Sequence, residues 1–403
     1  MERIGIFGGS FDPPHIGHRQ AAQAAVRALQ LDRLMIMPAC QPPHKSLSAD
    51  APTPQQRLEM LRVACGKDET LQLSDLEIVR GGISYTYETV EVVRQWYPEA
   101  EIFLLMGSDM FLSFQNWKDP EKILANAKLA VFYRGDKGEK EKVEAQKAVF
   151  EQSGHPVFVI ENPVISISST QLRRLLAFHC ADEFLPDGVG EYIQKNDLYN
   201  VHAQWKNLPM EELERVVVSL LKPSRVAHVL GCRDAAVSLA KRWGANETDA
   251  ARAALLHDVT KALDGPLQLT LCCAYDRVLD DFSLRYPKTL HALTGSLVAE
   301  RIFGENKAVV DAIESHTTGK ANMNTLEKII YLADYIEPNR TIPGVEKLRQ
   351  LSYSDLDAAM KLGLEMTLEH LNRQGAEVSP ESREALEYLN NQLYRRIAIQ
   401  YFR

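Results

Sequence analysis

The chain has little with which to enter or cross a membrane. No run approaches the ~18 consecutive apolar residues of a membrane span, and the opening stretch MERIGIFGGS has no basic segment followed by a long apolar one, so no signal peptide is expected. Cysteine is sparse. The six residues (Cys40, Cys65, Cys180, Cys232, Cys272, Cys273) form no C-x-x-C, and the adjacent Cys272 and Cys273 are poorly placed for a disulfide or a shared zinc. A reducing cytoplasm is the expected setting. An excess of positive charge is also missing: a formal net charge of −8 argues against non-specific nucleic-acid binding but leaves room for small phosphorylated ligands gripped locally. There is no internal repeat, no low-complexity tract and no G-x-x-x-x-G-K-[ST] phosphate loop. What is present is a globular composition, 45% hydrophobic and 25% charged, in 403 residues, which is too long for one ordinary core and implies two domains.

The first half alternates between two textures. RIGIFG, RLMIMPA, EIFLLMG, KLAVFYR and PVFVIEN are continuous apolar runs of the kind buried on both faces of a parallel sheet. Between them lie helical segments such as GHRQAAQAAVRALQ, and TPQQRLEMLRVAC opens with Thr53 as N-cap, Pro54 at the first helical position and Gln56 closing a capping box. This alternation predicts an α/β doubly wound parallel sheet. Beyond about residue 200 every segment from MEELERVVVSLL onward has helical periodicity, and an all-α domain is expected. The predicted organisation is a first domain over 1–200, a linker over 201–209 and a second domain over 210–403.

Near the start, GGSFDPPHIGH (8–18) follows the first strand. Gly8 and Gly9 let backbone approach a phosphate, and a helix beginning near Gly17 aims free N–H groups and a partial positive charge at it. His15 and His18 add side-chain donors to the same place. The loop offers only Asp12 as a further ligand, so a phosphate grip fits better than a metal cage. In the same order come PPHK (42–45), SYTYET (84–89), LLMGSDMFLSFQNWKD (104–119), FYRG (132–135) and ISSTQLRR (167–174). Together these resemble the HIGH-type nucleotidyltransferases, Rossmann-like in fold, and within them the bacterial nicotinate-nucleotide adenylyltransferases. The resemblance implies adenylyl transfer from ATP, carried with Mg²⁺, to nicotinate mononucleotide. It implies that His15 and His18 grip the ATP phosphates, that Gly8, Gly9, Ser10, Phe11, Gly107 and Asp109 line the nucleotide site, and that Ser168, Thr170 and Arg173 complete the phosphate cradle. His44, Lys45, Thr86, Trp117 and Arg134 would then hold the mononucleotide, with Trp117 stacked on its pyridine ring. Each has a plainer reading: Trp117 as core, Asp109 as a helix cap, Arg134 and Arg173 as surface charge.

A second set of histidines lies in the helical half. AALLHDVTK (253–261) sets His257 beside Asp258, and RVAHVLGC, YPKTLHALTGS, IESHTTGK and IIYLADYIEPNR add His228, His291, His316 and Asp334, all read as lying on apolar helices. One such histidine is usually a satisfied core residue; four with two aspartates make a metal site the better reading. The order H…HD…H…H…D resembles the HD phosphohydrolase superfamily in its six-ligand, two-metal form, and HDVTK, ESHTTG and LADYIEPNR resemble the YqeK family of symmetrical diadenosine tetraphosphate hydrolases. That resemblance implies an HD domain with two metal ions, which this nitrogen-rich set suits as iron or manganese. It implies Asp258 as their bridge and cleavage of diadenosine tetraphosphate to two ADP, with Lys261 and Arg340 neutralising the polyphosphate. Two alternatives stand beside it: hydrolysis of another nucleotide, or a non-catalytic nucleotide-sensing module. His155, His179, His202 and His370 fall outside every motif, and no oligomeric state is legible.

Overall fold

The computed structural model describes residues 1–43, 51–135 and 138–401, with side chains to residue 392. The chain divides into two compact units, Met1–Ala203 and Gln204–Arg403.

The first unit is built on a parallel sheet of β1 (Arg3–Gly9), β2 (Arg33–Pro38), β3 (Leu71–Leu73), β4 (Glu101–Gly107), β5 (Lys128–Phe132) and β6 (Val157–Ile160), in the order β3-β2-β1-β4-β5-β6. Five of these strands were legible as apolar runs. The sixth, β3, is a three-residue edge strand whose LQL is too short to carry a period. Successive side chains of β1 feed two cores: Ile4 and Ile6 pack with Met35, Leu104 and Leu129 on one face, while Phe7 packs with Leu34, Leu105 and Phe132 on the other. Each such fully buried side chain contributes roughly 1.5–3 kcal/mol. The two-sided burial explains why the strands read as unbroken apolar runs. The strand order reverses between β1 and β4, whose register pairs Ile4 with Ile102 and Phe7 with Leu105. Their carboxyl ends therefore flank the crevice where open α/β sheets bind ligands. The Thr53–Gln56 capping box forms as expected, with Thr53 Oγ1 accepting from Gln56 N at 3.2 Å and Gln56 Oε1 from Thr53 N at 2.8 Å.

The second unit is all helical among its described residues. Polar caps set its helix starts: Asn246, Asn306 and Asn324 each accept from the backbone N–H three residues on, at 3.0 to 3.1 Å. The segment expected to be a linker has partners here. Trp205 stacks on Phe303, Asn207 N donates to Phe303 O at 2.9 Å, and Arg252 Nη1 donates to Leu208 O at 2.8 Å. Arg252 also grips Glu305 through two nitrogens at 2.6 to 3.0 Å, with the Glu305 side chain 3% exposed. No helix among the described residues is long and apolar enough to cross a membrane.

Arg252→Leu leaves the Glu305 carboxylate buried without its counter-ion. Denaturant unfolding should show the second unit's transition weakened by about 3 kcal/mol, the loss typical of a broken buried pair.

Candidate active sites

The first site lies at the β1/β4 crevice. β1 ends at Gly9, and the chain turns through a buried loop into the helix Ile16–Leu29, for which His15 is the N-cap residue. The rings of His15 and His18 stack at 3.6 Å, and His15 N donates to His18 Nδ1 at 3.2 Å. Gly17 makes room for this pair, since a Cβ there would stand 3.0 Å from His15 Nδ1. That nitrogen is buried and has no hydrogen-bond partner. Burial and the nearby Arg134 charge pull His15 down to about 3. Burial, His15 and Arg134 push His18 well below its ordinary value. Both imidazoles are therefore neutral at physiological pH.

Around the pair, Ser168 caps the helix Ser169–Ala177 in a capping box with Gln171, and Ser169 Oγ donates to Pro13 O at 3.0 Å. Arg173 is held inward, donating to Asp12 Oδ2 at 3.1 Å and to Thr170 Oγ1 at 3.2 Å. Asp109 lies 3.7 Å from Arg134. Both press on Gly107, where a Cβ would stand 2.7 Å from Asp109 Oδ1 and 2.8 Å from Arg134 Cδ. Arg134, expected beside the mononucleotide, thus lies next to Asp109, expected to line the nucleotide site. Thr86 opens the helix Thr86–Trp96. Trp117 is partly buried against the core, its ring 5.3 Å from Phe114. Lys118 bridges their neighbourhoods, sitting 4.1 Å over the Tyr85 ring. The PPHK segment begins alongside, through a parallel bridge between Gln41 and Ile83 and a Cys40 N to Ser84 Oγ bond of 2.9 Å. His44 and Lys45 lie outside the described residues.

Three residues of this site went unnoticed in the sequence. Arg57 is fully buried and donates to Ser10 O, Ala39 O and Cys40 O at 2.6 to 3.2 Å, pinning two loops of the sheet's carboxyl edge together. Tyr199 Oη donates to Asp12 Oδ1 at 2.9 Å, so Asp12 is held between Tyr199 and Arg173. Glu139 accepts from Ser108 Oγ, Arg134 N and Gly135 N at 2.6 to 3.1 Å. The partners of Arg57 and Tyr199, and Ser108 beside Glu139, are far along the chain, while Glu139's other partners are backbone N–H groups of a turn; no side-chain spacing announces such contacts.

The second site gathers His228, His257, Asp258, His291, His316 and Asp334. His228 lies on the helix Pro223–Trp243, His291 on Leu290–Arg301 and Asp334 on Thr325–Ile336. His257, Asp258 and His316 do not lie on helices as expected: they sit in the turns just after Glu247–Leu256 and Lys307–Glu314. A helix end frees the backbone to point consecutive side chains inward together, which a continuing helix would forbid. The Asp258 carboxylate is fully buried and divides its oxygens. Oδ2 faces His257 Nε2 at 3.5 Å and His228 Nε2 at 3.8 Å; Oδ1 faces His291 Nε2 at 3.5 Å and His316 Nε2 at 3.9 Å. Asp334 Oδ1 stands 3.1 Å from His228 Nε2.

Each imidazole is tied from behind. Nδ1 of His257, His291 and His316 lies 2.6 to 2.8 Å from Ala254 O, Lys288 O and Ile313 O, and Nδ1 of His228 lies 3.2 Å from Glu337 Oε1. These outer bonds fix the tautomer with Nε2 inward, the arrangement of metal-bound histidines. Inside, His257 Nε2 is buried with no hydrogen-bond partner. Burial holds His257 and His316 down to about 3, so they are neutral donors. Burial alone would raise Asp334; the His228 bond and the neighbouring His257 and Arg340 outweigh it and hold the carboxylate well below its usual range. Imidazoles held neutral at His257 and His316, an Asp334 carboxylate held ionised and an orphaned inward nitrogen fit a pair of divalent ions, which Asp258 stands placed between the two histidine pairs to share.

Cations stand over this set. Lys261 Nζ is 3.4 Å from Asp258 Oδ1 and 2.8 Å from His291 Nε2, and burial draws it down to about 8. Arg340 pairs with Asp334. Arg225, not anticipated, pairs with Asp258; it lies three residues before His228, a spacing that shares a helix face. Glu337 and Cys232 also went unassigned. Glu337 is buried behind His228, and Asn339 N donates to its Oε2 at 2.7 Å.

A crossed parallel sheet with a glycine–histidine loop at its switch point, followed by a His/Asp cluster able to hold metal in an all-helical unit, defines a nucleotidyltransferase-type unit joined to an HD-type unit. Residues 6–175 match the cytidylyltransferase-like family model and residues 225–339 the HD domain model. A probable nicotinate-nucleotide adenylyltransferase of Borrelia garinii subsp. bavariensis is 35% identical over 198 residues, covering 49% of this chain and 94% of its own. One from Gemmatimonas aurantiaca is 37% identical over 206 residues, covering 50% and 94%. A crystal structure from Clostridium acetobutylicum, described as a predicted HD superfamily hydrolase involved in NAD metabolism, is 34% identical with a TM-score of 0.45, covering 46% of this chain and 98% of its own. The chain belongs, through its first half, to the nicotinate-nucleotide adenylyltransferase family.

The depressed histidines make a pH prediction. In the unfolded chain they titrate near 6.5; in the native first unit His15 stays neutral down to about 3 and His18 is held well below its ordinary value. As pH falls below 6.5 the unfolded state takes up protons that the native state cannot, so stability falls with pH, by about 1.4 kcal/mol per unit for each histidine. His15→Gln and His18→Gln should each flatten that slope when denaturation midpoints are followed from pH 6.5 to 4.

Proposed function

We propose that the first unit transfers an adenylyl group from ATP to nicotinate mononucleotide, and that the second hydrolyses diadenosine tetraphosphate to two ADP. The first reading rests on one observation above all: two neutral, stacked imidazoles at a helix start beside Gly8 and Gly9, in a crevice with Arg134 and Arg173. An oxygen of the mononucleotide phosphate forms the new bond to the α-phosphorus of ATP, and the bond to pyrophosphate breaks. The nucleophile is already ionised, so no protein base is required. Catalysis consists of alignment and of donors aimed at the developing charge.

In this reading His15 and His18 donate to the ATP phosphates. Ser168, Thr170 and the helix start at Ser169 complete the cradle, with Mg²⁺ carried by the nucleotide. Gly107 and Asp109 line the nucleoside side, and we place Arg134 with the phosphates. Thr86 and Trp117 serve the nicotinate ring, with His44 and Lys45 assigned to the mononucleotide phosphate. Tyr199 is a positioning residue that acts through Asp12 on Arg173.

The second reading rests on the division of the Asp258 oxygens between two histidine pairs. When bound, the metal ions, iron or manganese, would supply a water nucleophile at neutral pH and charge for the attacked phosphate. The chain's own part is to hold the six donors, and to set Arg225, Lys261 and Arg340 against the polyphosphate. The two sites act on substrates that share adenosine phosphates.

His18→Ala should lower kcat/KM for adenylyl transfer by about a hundredfold or more and leave phosphohydrolysis intact. Asp258→Ala should do the reverse. Tyr199→Phe removes one hydrogen bond to a charged group, worth about 1.5–3 kcal/mol. It should raise KM for ATP about tenfold or more while KM for the mononucleotide stays in place. A panel of nucleotides on the manganese-loaded chain tests the substrate: ADP as sole product from diadenosine tetraphosphate supports the reading, and turnover of other nucleotides without it overturns it.

A further inference from the structure

Cys232 lies on the helix Pro223–Trp243 four residues after His228, so both side chains share one helix face. It is 1% exposed. Its Sγ stands 3.5 Å from His228 Nε2, the nitrogen turned inward, and is farther, 3.9 Å, from Nδ1. The donor atoms of His228, Cys232, His257 and Asp334 all lie within 4.8 Å of one another. A sulfur about 2.3 Å and an imidazole nitrogen about 2.0–2.1 Å from one ion, at an angle of 90–110°, are about 3.1–3.6 Å apart. The observed separation, which in the metal-free chain is a thiol–imidazole contact, also matches that of two ligands of a common ion. His257 Nε2, buried and without a hydrogen-bond partner, is a second donor of the same group that awaits one.

We infer that Cys232 is a thiolate ligand of the metal ion held by His228, His257 and Asp334. The inference rests on the two-metal reading of the second unit and adds to it a soft donor on one side only: the His291 and His316 side has imidazoles and the shared Asp258 alone. On metal binding the metal–sulfur bond forms, the S–H bond breaks, and the proton leaves to solvent; nothing is oxidised or reduced. A thiolate biases its ion towards iron, cobalt or zinc over magnesium and leaves the other position to harder ions, so the two metals need not be alike. Buried in the metal-free chain, the same sulfur reads as ordinary packing, which is why scattered cysteines without a C-x-x-C spacing gave no hint of it.

The full chain, stripped of metal and titrated with Co²⁺, provides the test. The inference predicts two equivalents bound and a near-ultraviolet thiolate-to-cobalt charge-transfer band, saturating with one of them. Cys232→Val should abolish the band and weaken one equivalent about tenfold or more, while the other equivalent still binds and far-ultraviolet circular dichroism stays unchanged, which shows the second unit folded; Cys232→Ala serves if valine overfills the site. Two equivalents without the band, or a band that survives in both variants, overturns the thiolate and leaves the two-metal reading standing. Failure to take up cobalt at all overturns both.

Discussion

A polyphosphate needs positive potential, and a protein interior tolerates little unpaired charge. On the proposed reading, both sites of this chain answer that constraint, in opposite ways. In the first unit the grip is nearly uncharged: His15 and His18 are held neutral by burial, and helix starts supply N–H groups and dipole. Arg134 lies beside the Asp109 carboxylate and Arg173 is moored to that of Asp12. In the second unit the chain buries carboxylates and imidazoles, and on the same reading the positive charge would come with the ions they hold.

The Asp258 carboxylate carries the second arrangement. With no exposure and one oxygen towards each histidine pair, it fixes where the five other donors must stand. The helices around it are placed accordingly. Gly295 lets the helix Leu290–Arg301 approach the His257 turn so closely that a Cβ would meet His257 O at 3.2 Å. The outer bonds from Ala254, Lys288, Ile313 and Glu337 set every imidazole's orientation. Arg225 and Lys261 then balance Asp258, and Arg340 balances Asp334.

How far the sequence revealed this depends on whether the determinant is local. The doubly wound sheet and the helical second half follow from apolar periodicity, and the Thr53–Gln56 box from four consecutive positions. β3 escaped because three residues hold no period, and the helix ends before His257 and His316 because an apolar run does not mark where hydrogen bonding stops. The ligand-type residues were legible from their chemistry, since histidine and aspartate on apolar segments need a reason to be there. Arg57, Tyr199 and Glu139 were not, because their partners lie tens of residues or more away or, for Glu139, are backbone groups of a turn. Cys232 and Arg225 are different. Their spacings of four and three from His228 were visible, but only a known orientation of that helix turns spacing into proximity.

The central claim is that one chain meets phosphate without a resident metal in its first unit and with two in its second. Metal content of the full chain after loading with Mn²⁺ and removal of excess tests this directly. The account predicts about two equivalents, unchanged when His15 and His18 are both replaced by alanine and lost when Asp258 is. Retention of both equivalents without Asp258, or their loss with the His15 and His18 replacements, would contradict it.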